Sequence, residues 1–274
     1  MQIFKYIMLF IVFVLLILTL TGSYISLKES QVEETKAPLK TQKAVLKEEP
    51  KSSVPKPEIL PKMSVKEKKQ RYFSLVNPHI QKVYKELMQE YLSLEELLES
   101  QERLSREETQ KIESLKEQFK VETNRELLYA LKPHPPSIVL AQGALESSWG
   151  TSRFFIEANN IFGIWSANPD EPRIAAGEMR EGKRTIWLRK FDSLEESVRE
   201  YYMTIGRVDA YEEFRQVRYE SDDPFAMIEK LDKYAEIGAE YPEALASLIR
   251  YNKLTKYDAV QAYNSVRNSL QSDE

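Results

Sequence analysis

The sequence predicts a mainly α protein with a small β component, of the α+β class. Large apolar residues recur at steps of three and four through residues 64–130, the period of one helix face. Glycine is scarce, 8 in 274 residues, while charged residues reach 30%, a mix that suits helices better than a sandwich. The strand-like stretch is short, residues 173–191, and it is flanked by helical patterns.

The elements follow in chain order. Lys5 precedes an almost unbroken apolar run from Tyr6 to Leu20. Its length suits the apolar core of a secretory signal about as well as a short membrane anchor. Thr21, Gly22 and Ser23 are small enough for a cleavage site, but no A-x-A pattern is present. Residues 1–29 are therefore expected to be a signal-anchor or a signal peptide, and either sends the rest out of the cytoplasm. Residues 30–63 interleave Pro38, Pro50, Pro55, Pro57 and Pro61 with lysines and glutamates. Such a segment buries too little apolar surface to offset its ordering entropy, so it reads as a disordered linker.

Ile80, Tyr84, Leu87, Tyr91, Leu94 and Leu98 then share one helix face. Ser105-Arg106-Glu107-Glu108 fits the capping-box pattern, and Ile112, Leu115 and Phe119 continue a second stripe. Two antiparallel helices joined near Gln101–Arg106 are the simplest reading of residues 64–131. Lys132-Pro133-His134-Pro135-Pro136 breaks the pattern, and Ser137 is placed to cap a helix running to about Ser148. Arg153–Ala158 reads as a short helical turn. Two strands are expected at Arg173–Met179 and Arg184–Phe191, with Glu181-Gly182 at the hairpin tip. Asp192 or Ser193 caps a helix lined by Tyr201, Tyr202 and Ile205, and residues 210–254 read as three more short helices.

Composition narrows the chemistry. The chain has no cysteine, which excludes disulfides, thiol nucleophiles and thiolate metal sites. Its two histidines, His79 and His134, leave little material for a zinc site or a Ser-His-Asp triad. A net charge of −4 gives no general reason to bind nucleic acid. No metal or organic cofactor is implied. The most suggestive residue is Glu146, an acid in the apolar, small-residue segment Ala141-Gln142-Gly143-Ala144-Leu145-Glu146-Ser147-Ser148-Trp149-Gly150. A carboxyl held against an aromatic wall such as Trp149 keeps its proton near neutral pH, because desolvation disfavours the anion. A protonated carboxyl in a cleft is what glycosidic cleavage needs. The rival reading is a surface glutamate on an ordinary amphipathic helix.

Residues 138–254 resemble the bacterial endo-β-N-acetylglucosaminidases of glycoside hydrolase family 73. The segment around Glu146 matches the family's A-Q-A-x-L-E-S-x-W-G, and Asn160-Ile161-Phe162-Gly163-Ile164 matches its N-x-F-G-I. Phe191-Asp192-Ser193 with Tyr201 follows its strand, turn and helix, and Tyr234-Ala235 with Tyr241 is a degenerate form of its Y-A-x-x-x-x-Y. With the charged helices from Ser64 onward and the Ser152-Arg153-Phe154 turn, the chain is most similar to the Bax-type branch. Members of that branch carry cysteines shortly after the position of Trp165, where this chain has Ser166-Ala167-Asn168-Pro169.

The resemblance implies a lysozyme-like fold, a helical lobe facing a small β-hairpin lobe across a groove, over residues 132–274, preceded by the helical pair. It implies that Glu146 is the general acid. Glu178 is the first candidate for a second carboxylate and Glu181 the next, and a site with no second protein carboxylate stays open. Tyr234 is a candidate to bind the substrate acetamido group or the attacking water, against a buried structural role. Asn160, Phe162, Gly163, Trp165 and Tyr241 are candidates to line the sugar cleft, though each could equally be core. The implied substrate is peptidoglycan or another N-acetylglucosamine-containing glycan, cut after N-acetylglucosamine, with no nucleic acid and no specified protein partner. The implied location is the outer face of the inner membrane, in the periplasm or cell envelope, or outside the cell if residues 1–29 are removed. The alternatives are a membrane-anchored glycan-binding scaffold without turnover, and an amidase acting on another wall bond.

Overall fold

Ser64 opens the first described helix with a reciprocal capping box. Its hydroxyl accepts from the Glu67 backbone N–H (3.3 Å), and the Glu67 carboxylate accepts from the Ser64 N–H (2.7 Å). The computed structural model describes residues 63–100, 103–177, 185–232, 234 and 240–258. The expected signal segment and linker lie outside the described residues.

Helix α1 spans Val65–Glu99, and α2 spans Arg106–Phe119 behind the capping box of Ser105 and Glu108. The apolar stripe expected on α1 is the buried one, from Ile80 (0% exposed) through Leu94 (5%). The sequence predicted a pair of helices here, and the structure adds a third, α3 at Asn124–Leu131. Its eight residues are too few for a clear periodic signal, but Thr123 and Glu126 form another capping box at its start.

Helix α4, Pro136–Glu146, is the centre of the molecule, and every residue from Pro136 to Ala144 is buried. It starts one residue before the expected cap. Ser137 lies inside the helix, where its backbone N–H donates to the Asp258 carboxylate at 2.6 Å. Pro136 occupies the first helical position, where its missing N–H costs nothing. The capping acceptor thus comes from a residue 121 positions away. Burial pushes the Asp258 carboxyl up to about 6.

Helix α5 (Arg153–Ala158) leads to strands β1 (Arg173–Ala175) and β2 (Trp187–Arg189). They pair antiparallel with Ile174 opposite Leu188. Both are shorter than the sequence suggested, and the expected tip, residues 178–184, lies outside the described residues. Arg189 ties the hairpin to the helices. Its guanidinium meets Glu171 (3.2 Å) and Glu200 (3.0 Å), and Glu200 lies on α6, Leu194–Arg207. Ser193 caps α6, one of the two residues expected to. Three further helices follow, α7 (Glu212–Glu220), α8 (Pro224–Ile228) and α9 (Glu240–Asn252), with 3-10 turns at Asp209–Tyr211, Glu229–Leu231 and Leu254–Tyr257. Among the described residues no helix is long and apolar enough to cross a membrane.

Helices α1, α2 and α3 share one apolar core with α4, α6 and α9. α1 and α4 come close together at Gly143. The Tyr72 hydroxyl of α1 donates to the Leu140 carbonyl of α4 at 3.1 Å. A Cβ added at Gly143 would stand 2.5 Å from that hydroxyl oxygen and 2.8 Å from Ile161 Cγ2. The family pattern has alanine at this position, and Tyr72 fills the space an alanine would need. Gly143→Ala is therefore expected to lower unfolding free energy by about 1–3 kcal/mol, the usual cost of overpacking. Denaturant titration checks this, with part of the loss regained when Tyr72→Leu is added.

Candidate active site

Glu146 is the last residue of α4, not an interior one, and the helix stops two residues earlier than expected. A tight turn stops it. Ser147 Oγ donates to the Gly143 carbonyl (2.5 Å) and accepts from the Gly150 N–H (2.9 Å). Ser148, Trp149 and Gly150 are all left-handed, with φ of 51°, 62° and 70°. Two of these are not glycine, a strained arrangement that persists only when its surroundings enforce it. The Trp149 N–H reaches the Ala144 carbonyl at 2.8 Å, and the Trp149 ring packs edge-on against Tyr72 and Phe73 of α1. The turn leaves Leu145 and Glu146 exposed at the end of a helix otherwise buried.

The aromatic wall tied to Glu146 is made of tyrosines, in place of the expected Trp149. The Tyr241 hydroxyl donates to Glu146 Oε1 at 3.1 Å. Tyr201, Tyr211 and Tyr234 also lie within electrostatic reach of the carboxylate. The carboxyl is open to solvent on one side and crowded by protein on the others. Desolvation pushes its pKa up to about 7, opposed by the hydrogen bond from Tyr241. Among the described residues, the ionisable partners of Glu146 are phenols, not a second carboxylate. Such a group can hold a proton at neutral pH and release it to a base arriving from solvent.

The other predicted residues separate. Tyr241 is 1% exposed and acts on Glu146, not on the cleft surface. Tyr234 stacks nearly parallel on Tyr241 (5.3 Å, 14°) and is half-buried. Asn160, expected to face sugar, is 1% exposed, and its amide is turned to backbone groups. Its Nδ2 donates to the Ile164 and Arg189 carbonyls (2.9 Å each), and its Oδ1 accepts from the Ile164 N–H (2.9 Å). It closes the 160–164 turn and pins it to β2. Phe162 is also core, stacked on Tyr201 at 4.1 Å. Gly163 has a φ of +67°, a conformation that favours glycine, while a Cβ there would meet nothing within 4 Å, so its constraint is the backbone and not space. Trp165 keeps 39% of its surface exposed, and its backbone bridges to Leu188 of β2. Glu178 and Glu181 lie outside the described residues.

Gln142 was missed by sequence reasoning, although its spacing held the clue. It lies one helical turn before Glu146, on the same face of α4. Its Nε2 donates to the Tyr241 hydroxyl at 3.1 Å, and its Oε1 accepts from the Tyr201 hydroxyl.

Residues 122–254 match the sequence model of the glucosaminidase family, described as mannosyl-glycoprotein endo-beta-N-acetylglucosaminidase. Protein bax of Escherichia coli (strain K12) is 30% identical over 125 residues, 43% of each chain, so the match spans less than half of that relative's length. The catalytic domain of the autolysin Auto from Listeria monocytogenes is 21% identical, with 60% of this chain and 94% of that one covered at a TM-score of 0.38. The glycoside hydrolase domain of Salmonella typhimurium FlgJ is 20% identical, with 57% and 98% covered at a TM-score of 0.37.

The raised acid gives a stability signature. A carboxyl whose folded pKa is lifted from 4.5 to about 7 stabilises the fold most below the unfolded value. That contribution is lost as pH rises to the folded value. Glu146→Gln removes the titration, so the variant is expected to melt above the wild type in the alkaline range. The difference should vanish below pH 4.5, the ordinary glutamate value, in thermal scans across pH.

Proposed function

We propose, from the match of residues 122–254 to the glucosaminidase family model, that the protein is a peptidoglycan hydrolase, an endo-β-N-acetylglucosaminidase. The observation that carries this reading is Glu146, solvent-exposed at the end of a buried helix with its pKa pushed up to about 7. In the proposed reaction Glu146 protonates the oxygen leaving from C1 of N-acetylglucosamine, and an oxocarbenium-like transition state develops. Water attack is then assisted by Glu178, or the substrate's acetamido group serves as nucleophile. Tyr234, stacked beside Tyr241, is proposed to bind the acetamido group or the water, and Trp165 to stack on a sugar ring. The apolar run from Tyr6 to Leu20 supports a place at the cell envelope, where peptidoglycan is the available N-acetylglucosamine polymer.

Product analysis tests the reading. The full chain and its Glu146→Gln variant are incubated with peptidoglycan, and new ends are reduced with borohydride and identified by mass spectrometry. Reduced N-acetylglucosamine is expected, with the rate in Glu146→Gln lower by about 10²–10⁴, as for loss of a general acid. Reduced N-acetylmuramic acid would mean a different bond. Binding to the wall without release would mean a glycan-binding scaffold. The anomeric configuration of the first-formed product separates Glu178 acting as base, which inverts, from the acetamido route, which retains.

A further inference from the structure

Five side chains are joined end to end beneath Glu146. His134 Nε2 lies 3.0 Å from the Tyr201 hydroxyl, and that hydroxyl donates to Gln142 Oε1. Gln142 Nε2 donates to the Tyr241 hydroxyl, which donates to Glu146 Oε1, each at 3.1 Å. His134 and Gln142 are 0% exposed, Tyr241 1% and Tyr201 2%, so the links from His134 to Tyr241 are shielded from water, and only the last, to Glu146, borders solvent.

The links are not independent. A hydroxyl has one hydrogen, and an amide has one donating and one accepting end. Tyr201 gives its hydrogen to Gln142, so the hydrogen between His134 and Tyr201 must come from His134 Nε2. His134 is boxed by the Tyr201, Tyr202 and Phe214 rings, and burial, with Arg218 nearby, holds its pKa well below the usual value. The neutral ring then carries its one hydrogen on Nε2, and the buried Nδ1, which has no partner, is a bare lone pair instead of an orphaned donor. From His134 onward every link has its sense fixed toward Glu146. Tyr241 receives a hydrogen from Gln142 and passes its own to Oε1. Oε1 is thereby held as an acceptor, which leaves Oε2 to carry the acid's proton.

We infer that Gln142 is a positioning residue, which by holding Tyr241 as a donor keeps the transferable proton of Glu146 on Oε2, where a leaving oxygen can take it. This deepens the reading of Glu146 as general acid and rests on it. Without the Gln142 amide the Tyr241 oxygen is free to accept, and a protonated Glu146 can turn its hydrogen onto Tyr241. The proton is then bound more tightly and aimed away from substrate. The groups facing Glu146 are Tyr201 from α6, Tyr241 from α9, and Tyr211 and Tyr234 from the intervening turns. All four phenols are pushed above the ordinary tyrosine range by burial, so Glu146 titrates among neutral neighbours.

The test follows the Glu146 carboxyl in the full chain by 13C NMR titration, assigned against Glu146→Gln, together with pH profiles of kcat and KM on peptidoglycan. Gln142→Met keeps the volume and removes the amide. Its Glu146 titration is expected to move up by about 0.5–1 pH unit, the worth of one hydrogen bond. Its kcat should fall about tenfold with KM within about twofold, as for an interaction used in the chemical step. Tyr201→Phe removes no hydrogen bond to Glu146 but frees the Gln142 amide to flip, so it should shift the titration the same way by less. A folded Gln142→Met protein with an unmoved titration overturns the inference. If that variant does not fold, an unmoved titration in Tyr201→Phe overturns it. If the titration moves as stated while even the wild type cuts no glycan, the positioning role stands and the proposed function fails.

Discussion

α4 is buried on every side from Pro136 to Ala144 and reaches solvent only at Leu145 and Glu146. A helix that apolar has no freedom to rotate or slide, because any shift would expose core residues or force polar ones inward. The rest of the structure clamps it. Tyr72 locks onto Gly143 from α1, Asp258 caps the start from the end of the described chain, and Tyr241 holds the carboxylate from α9. The acid is thereby fixed to a helix held from three sides.

That placement has a cost in stability. A carboxyl crowded by tyrosines, two left-handed residues that are not glycine, and a buried imidazole nitrogen without a partner are each unfavourable. They sit within two helical turns of Glu146 in sequence, or one hydrogen-bonded chain away from it. A structural surface glutamate would need none of them. Clustering of unfavourable features around one acid is what distinguishes a prepared site from an ordinary helix end. The N-terminal helices belong to the same construction, since Tyr72 and Phe73 form the shelf on which the Trp149 turn rests.

Much of this was legible in the sequence, and the failures have physical causes. Helix faces with a long period, such as Ile80 to Leu94, could be read directly, as could the capping box of Ser105 and the segment that carries Glu146. The cap of α4 could not, because Asp258 is adjacent only in space. The stop of α4 at Glu146 was hidden because Ser148 and Trp149 take a conformation their residue types disfavour. Asn160 looked like a sugar ligand from its motif, yet a polar side chain in a turn of a small lobe is first claimed by unpaired backbone groups nearby. Gln142 was passed over because an uncharged amide announces no chemistry until its partners are seen.

The pH dependence of kcat/KM for peptidoglycan cleavage bears most directly on the claim that Glu146 acts as a protonated acid. Activity is expected to hold on the acid side and to fall roughly tenfold per pH unit once pH passes about 7, the value of the Glu146 carboxyl. A rate that stays level far into the alkaline range would contradict that role, since Glu146 would then be an anion with no proton to give.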